Sequence, residues 1–516
     1  MAGQPPEPSS TAKGMYHLFL GNVAASVLLA VAAIFIGRLL GPAGYGLYAI
    51  AVVTPSYMQT FIQLGIPTAS TRFPAKYMSE GNEGRAVSFI YSMALAEALM
   101  ALAAVAVVVP LSGFIASSIL DRPQVASLVP LAAVAAVGQV LLSVTQSGLE
   151  GLNRMKGSAV LQVIQAGVKA VVTVALILAG FAIFGAVAGF TLSFLAAGLA
   201  GFAFIVRLRE SFLPSEWLRD LKEALRYSLP LYVAALAAGL VSPYLVTLMA
   251  RYAGNAQIGG YGAAGNISTI IVLFTYPIVT ALFPLFSRLA RDERGLAETY
   301  DSAVRYSTMF VVPVAAVMMA LSVPLTSAIY GRAYGFAGVY LALTATQYFF
   351  VGLGSLSQGA LLSSVGETRK YLAASLAGSV TSLLAASALI PFLGVYGAIV
   401  AAFIGSATSV AVAWRMVSRR LGTNVRLSRI WRIYVVSGVV AALVYPVSLL
   451  PLHPIAVTLL GGVAFLLLVI PLMAFTGAVR RQDMIALDGY SREVGPVSYV
   501  FGIVMKYYDI FERERP

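Results

Sequence analysis

Cysteine is absent from the 516-residue chain, and histidine occurs only as His17 and His453. Disulfides and thiolate metal sites are thereby excluded, and a zinc cluster would lack ligands. Charge is scarce too. Only 11% of residues are charged, against about 25% in a soluble domain. Acids are fewer than bases, 21 against 34. The N-terminal MAGQPPEPSSTAKG lacks the apolar core and small-residue cleavage site of a signal peptide. Residues 1–17 are therefore expected to be a short cytoplasmic tail, with the first apolar segment as its own insertion signal.

What the chain has instead is hydrophobicity: 59% of residues are apolar and mean hydropathy is +0.86. A membrane-crossing helix needs about 20 apolar residues. Fourteen such runs are expected, at 18–40, 46–70, 86–111, 124–149, 158–182, 184–206, 224–250, 259–287, 301–328, 334–362, 370–392, 394–416, 430–450 and 455–477. The basic residues sort with them. Placing the N-terminus in the cytoplasm puts 29 of the 34 Lys and Arg on the cytoplasmic side. Only Arg38, Arg122, Arg251 and Arg332 face outward, and Lys169 lies within a span. The positive-inside rule then sets both termini in the cytoplasm of a multi-pass cell-membrane protein. The +13 net charge belongs to this bias and to anionic lipid headgroups. Nucleic-acid binding is a poor reading, because the basic residues are spread over many short loops. In the tail 478–516, Val497, Val500, Phe501, Val504, Tyr508 and Phe511 recur at helical spacing, as in a helix lying on the inner membrane surface.

The chain is also written twice. Arg38-Leu-Leu-Gly41 aligns with Arg251-Tyr-Ala-Gly254 at an offset of 213. Gly44-Tyr-Gly46 matches Gly260-Tyr-Gly262, and Thr71-Arg72 matches Ser287-Arg288, at 216. Gln146 and Gln358, Phe184-Gly-Ala-Val187 and Tyr396-Gly-Ala-Ile399, and Arg207 and Arg419 match at 212. The unit is six spans, an even number, so both copies enter the membrane the same way. Parallel repeats of this kind are related by an axis along the membrane normal, with the substrate path between them and alternating access by rocking. The expected organisation is an N-lobe at 18–206, a cytoplasmic linker at 207–223, a C-lobe at 224–416 and an appended pair at 430–477.

A first span ending in GRLLGPAGYGLYA, a basic loop after span 2, the six-plus-six duplication and the extra pair together resemble the MOP exporter superfamily. Within it, the similarity is to the polysaccharide-transporter branch, the flippases of lipid-linked oligosaccharides. The resemblance covers about residues 15–477. It implies an all-α polytopic fold with a V-shaped pair of six-helix bundles, and export of a polyprenyl-phosphate-linked glycan without a bound cofactor. In the related lipid II flippases the extra pair forms a lipid-facing groove; here spans 13 and 14 either do that or serve as a packing annex.

Two ionisable groups lie deep in spans. Glu97 is twelve residues past Arg85, and Lys169 thirteen past Lys156. At about 1.5 Å per residue, both sit near the bilayer middle, where charge is costly and normally faces a bundle interior or water. Lys169 then reads as a phosphate or sugar ligand, with Glu97 as its partner or as a protonatable coupling group; the alternative is a structural ion pair. Gln162, Gln165 and Lys169 share a face of span 5, as do Ser56, Gln59, Thr60 and Gln63 on span 2. Asn22 and Ser26 pair on span 1, and Asn266, Thr269, Tyr276 and Thr280 line span 8. Sugar hydroxyls want such amide and hydroxyl partners, although interhelical hydrogen bonds use the same residue types. Arg38 and Arg251 end spans 1 and 7 at equivalent outer positions. They read as a bidentate phosphate pair across the cleft mouth, or as interface anchors near helix C-termini. Pro55, Pro67, Pro243, Pro277 and Pro284 fall in spans 2, 7 and 8, where kinks would aid rocking; helix irregularity is the alternative.

Three function classes follow. A membrane enzyme such as a glycosyl ligase would want paired acids on a catalytic loop, and the outer face offers Asp121 alone. A cation-coupled multidrug antiporter would show acids in its cavity, whereas these stripes carry Lys169 and Glu97. The flippase reading remains, with a lipid-linked glycan and membrane lipids as partners and a proton or sodium gradient as the candidate drive.

Overall fold

The computed structural model describes residues 8–208, 217–289, 292–421 and 430–479, together with 505 and 508. Helices dominate, and no strand occurs among the described residues. Among the described residues, ten segments are long and apolar enough to cross a membrane, or eleven if the bent pair Ala337–Leu353 and Gln358–Ser364 is one span. Two of them, Leu18–Ile62 and Met155–Leu208, run 45 and 54 residues. At about 1.5 Å per residue each is long enough to cross a hydrocarbon core of about 30 Å twice. The number is consistent with the fourteen expected.

The first compact unit comprises residues 1–262 and 386–398. It begins with α1 (Pro8–Ala51), which starts well before the expected first span and breaks at Gly41, where φ is 68°. Pro42 follows that break. Next come α2 (Val53–Ile62), α3 (Ile66–Ser79) and α4 (Glu83–Val108). A three-residue turn, α5 (Ser112–Phe114), leads to α6 (Leu128–Gly151) and α7 (Met155–Leu176). A second break at Gly180, φ 93°, precedes α8 (Ala182–Leu208). The unit also takes α9 (Trp217–Tyr252) and the start of α10 (Asn255–Arg288). Glycine sets the spacing of its helices. A Cβ on Gly138 would meet the backbone of Phe194 and Leu195 at 2.4–2.5 Å, and one on Gly198 would meet the Gly138 carbonyl oxygen at 2.5 Å. Helices α6 and α8 thus touch backbone to backbone, as small residues allow in lipid. Gly21 and Ala159 bring α1 and α7 together in the same way.

The second unit comprises residues 263–385 and 399–516. Its elements are the remainder of α10, α11 (Glu293–Ala320), α12 (Ser322–Tyr330), α13 (Ala337–Ala345), α14 (Gln358–Ser364), α15 (Thr368–Leu393) and α16 (Val395–Leu421). The appended pair is α17 (Trp431–Val444) and α18 (Pro454–Phe475). Between α13 and α14 the chain tightens into a 3₁₀ stretch, Thr346–Leu353. There Tyr434 of α17 donates to the Phe349 carbonyl and accepts from the Gly352 amide at 3.1 Å. Helix α17 therefore caps a backbone irregularity between α13 and α14. Arg420 holds both Glu293 and Glu367, tying the ends of α11, α15 and α16 together. Of the six apolar residues expected to line the amphipathic tail, Tyr508 alone falls among the described residues. It is buried and donates to the Val479 carbonyl at 2.9 Å; Val497, Val500, Phe501, Val504 and Phe511 lie outside them.

Candidate functional site

The run expected as span 2 is not one helix. It stops at Ile62 and restarts at Ile66, with Leu64 and Gly65 at positive φ (44° and 77°). Pro55 lies in the first turn of α2, and Pro67 occupies the first turn of α3, where a missing N–H costs nothing. A break at membrane depth leaves carbonyls without helical partners, and lipid supplies none. Two side chains of α9 supply them. Tyr232 donates to the Thr60 carbonyl at 2.8 Å, and Ser228 to the Leu64 carbonyl at 3.0 Å. Gly65 permits the approach, because a Cβ there would lie 2.9 Å from the Ser228 Cβ.

Glu97 is fully buried on the α4 face that packs against α6. It lies between Ala94, which clusters with Leu141 and Val144, and Ala101, which clusters with Ala136 and Val140. Neither carboxyl oxygen has a hydrogen-bond partner. Lys169 lies elsewhere in the unit. Its Nζ sits 5.4 Å from the Phe190 ring centroid on α8, and Phe190 stands edge-on to Tyr48 of α1 at 6.3 Å. Among the described residues Lys169 and Glu97 form no ion pair with each other or with a third residue, so the structural ion pair open to them in the sequence does not form. The physical reason is azimuth. Helix α7 packs between α1 and α8, while α4 lies against α6. Equal depth on two helices does not bring side chains together.

The polar stripes divide in use. Gln165 is buried, and its amide donates to Ser193 at 3.3 Å, an interhelical bond within the N-lobe. Gln162, one turn away on α7, is half-buried, as are Asn22 on α1 and Gln59 on α2. Gln63 falls at the end of α2, beside the break. Ser56 and Thr60 turn their hydroxyls back to carbonyls four residues earlier. In the second unit, the exposed Asn266 donates to Tyr330 at 3.3 Å. The side chain of Tyr276 lies outside those described.

At the glycine-rich joint, the end of α1 meets the start of α10. Gly46 lies so close to the start of α10 that a Cβ would fall 1.9 Å from the Asn255 carbonyl oxygen. A Cβ on Gly259 would fall 2.0 Å from the Pro42 carbonyl oxygen. Both Arg38 and Arg251 are exposed, and Arg251 stands in the last turn of α9. The guanidinium that holds this joint belongs to another residue. Arg122 donates to the Ala253 carbonyl at 2.7 Å and to Asn255 Oδ1 at 2.9 Å. It satisfies the carbonyl left open where α9 ends and steadies the residue where α10 begins. Its sequence signal was its position alone, one of four outward arginines.

On the opposite, basic face Arg85 binds both carboxyl oxygens of Asp220, a side chain with no exposure. This bidentate pair joins α4 to the first turns of α9. No feature of the spacing marked Asp220.

Among the described residues no group of three or more His, Asp or Glu is placed to hold a metal ion. The chemistry on offer is binding: hydroxyls, amides, the buried Glu97 carboxyl and the Lys169 ammonium.

Comparison with known proteins gives a family and a fold. The signature of a family described as "Polysaccharide biosynthesis protein" matches residues 11–290. The succinoglycan biosynthesis transport protein ExoT of Rhizobium meliloti (strain 1021) is 24% identical over 339 residues, which are 63% of this chain and 65% of that protein. The match thus spans just under two thirds of that relative's length. Among solved structures, the lipid II flippase MurJ in its inward closed conformation superposes with a TM-score of 0.72 at 14% identity. That likeness covers 87% of this chain and 97% of MurJ. An inward-facing multidrug resistance MATE family transporter of the MOP superfamily gives a TM-score of 0.56 at 18% identity, over 78% and 94%.

Proposed function

The chain belongs to the polysaccharide biosynthesis protein family, and from that premise we propose that it is a flippase. Its substrate is a polyprenyl-phosphate-linked oligosaccharide, moved from the cytoplasmic to the outer leaflet of the cell membrane by alternating access. The observation that carries the reading is the family match over 11–290, alongside a relative whose printed role is transport in succinoglycan biosynthesis. The fold shared with a lipid II flippase is in keeping with it, and more closely shared than that of the drug transporter.

In this reading Lys169, Gln162 and Asn22 bind phosphate or sugar within the N-lobe, with Gln59 and Gln63 beside the break in span 2 and Asn266 and Tyr276 in the second repeat. Support comes from Lys169, whose ammonium has an aromatic neighbour and no carboxylate partner among the described residues. Gln165 positions α7 through Ser193. Glu97 is the coupling group for a proton or sodium gradient, since a buried carboxyl free of hydrogen bonds exchanges a cation without first breaking one. Arg38 and Arg251 take the phosphate at the outer rim. Both termini lie in the cytoplasm, following the basic residues.

The test is reconstitution in vesicles with a fluorescent polyprenyl-pyrophosphate oligosaccharide on one leaflet. Protein-dependent, saturable arrival of the glycan at the other leaflet is expected. Extrusion of cationic dyes with no movement of the glycan would overturn the proposal in favour of a drug antiporter.

A further inference from the structure

A cavity of about 430 Å³ opens at the start of α3, lined by Pro67, Thr68, Thr71, Arg72, Ser147 and Tyr227. The size lies within the range of small-ligand clefts. Helices α3, α6 and α9 build it, all within the first unit. The Arg72 guanidinium carbon stands 4.0 Å from the Tyr227 ring centroid and 5.9 Å from that of Phe73. Stacking fixes the plane of a guanidinium and uses none of the N–H donors along its edge. Thr71 directs its hydroxyl to the Pro67 and Ser147 carbonyls, at 3.4 and 3.3 Å, and so fastens the α3 wall to α6. Thr68, Ser147 and Tyr227, all hydroxyl-bearing residues, complete the lining.

The electrostatics are one-sided. Lys76, Arg85, Arg154 and Arg420 each have a carboxylate partner. Among the described residues Arg72 has none, and no acid lines the cavity. An uncompensated, oriented guanidinium among hydroxyls is a receptor for an oxyanion. Its place in the sequence adds the source. Residues 67–72 end the apolar run of span 2 on the basic face of the protein, at the height of lipid phosphates.

We propose that this cavity docks the phosphate or pyrophosphate group of a membrane lipid, capturing the substrate at the basic face before its glycan is moved. The inference rests on the flippase reading and gives it a first binding step. Arg72 and Tyr227 are the residues that would carry it, with the ring orienting the cation.

The experiment uses the full-length protein in phosphatidylcholine nanodiscs, with radiolabelled undecaprenyl pyrophosphate as the probe and inorganic pyrophosphate as a competitor. Arg72→Gln is expected to weaken binding by roughly tenfold or more, the worth of a charge-assisted pair of hydrogen bonds. Arg72→Lys should fall between, lacking the planar fork, and Tyr227→Leu should weaken binding with the cation kept. Lys76→Gln, a surface change on the same helix, is the control. Equal binding by Arg72→Gln and Lys76→Gln would overturn the proposal. Given Arg72 dependence, competition by inorganic pyrophosphate supports recognition of the phosphate group alone, and lack of competition supports recognition of that group on its lipid. A vesicle assay separates the two readings. Arg72-dependent binding without glycan translocation keeps the docking site and removes the flippase; translocation with Arg72-independent binding does the reverse.

Discussion

Gly46 and Gly259 are repeat mates, 213 residues apart, and the Gly46 amide nitrogen lies 3.0 Å from where a Cβ on Gly259 would be. Their contacts are reciprocal. Gly46 faces the carbonyl of Asn255, Gly259 faces that of Pro42, and Pro42 and Asn255 are themselves 213 apart. The joint therefore has local two-fold symmetry, in the register that aligns Arg38 with Arg251. The tripeptide match at 216 pairs Gly46 with Gly262 instead, and a Cβ on Gly262 would meet only the Tyr45 ring, at an ordinary 3.5 Å.

Gly46→Ala and Gly259→Ala should each destabilise the protein by about 1–3 kcal/mol, the usual cost of overpacking. Thermal unfolding in detergent measures it. The double variant should lose less than the sum, because either methyl already separates the same two segments.

Arg122→Ala should lower thermal stability more than Arg38→Ala and Arg251→Ala combined. It removes three hydrogen bonds from a charged donor, of which the two at the joint are each worth about 1.5–3 kcal/mol, whereas the other two arginines are exposed. If Arg38→Ala with Arg251→Ala lowers yield but not transport per folded molecule, those arginines are structural.

Arg85→Ala withdraws the guanidinium from the buried Asp220 carboxylate, a change expected to cost about 3–5 kcal/mol. Replacing the pair, as Arg85→Met with Asp220→Leu, should restore much of that loss. Denaturant or thermal midpoints of the three proteins check the ordering.

Lys169→Ala should reduce glycan translocation roughly tenfold or more, as expected for loss of a charged ligand to phosphate. Glu97→Gln should leave folding intact while removing the response to an imposed proton or sodium gradient. Both variants transporting as the unaltered protein does would remove the central site.

The long apolar runs, the basic-face bias and the duplication were legible in the sequence because each is local or repeats at fixed intervals. So was the glycine-rich joint. What escaped are partners far apart in the chain. Arg122 reaches a carbonyl 131 residues away, and Tyr232 one at a distance of 172. A composition window carries no trace of either. Glu97 and Lys169 show the other limit: counting residues along a helix gives depth, but the direction a side chain takes depends on which helices flank it. Gln165 was open to a sugar-ligand and to an interhelical reading, and no spacing shows that Ser193 on the facing helix accepts from its amide. Pro67 marked a kink in span 2, but the full break at 63–65 rests on the positive φ of Leu64 and Gly65, which spacing does not reveal.

That break carries a consequence for movement. Because Tyr232 and Ser228 occupy the carbonyls of Thr60 and Leu64, any withdrawal of α9 from α2 uncovers two acceptors that hydrocarbon cannot satisfy. Water or a substrate hydroxyl has to arrive as the helices part. Separation on this side is therefore a wetting event.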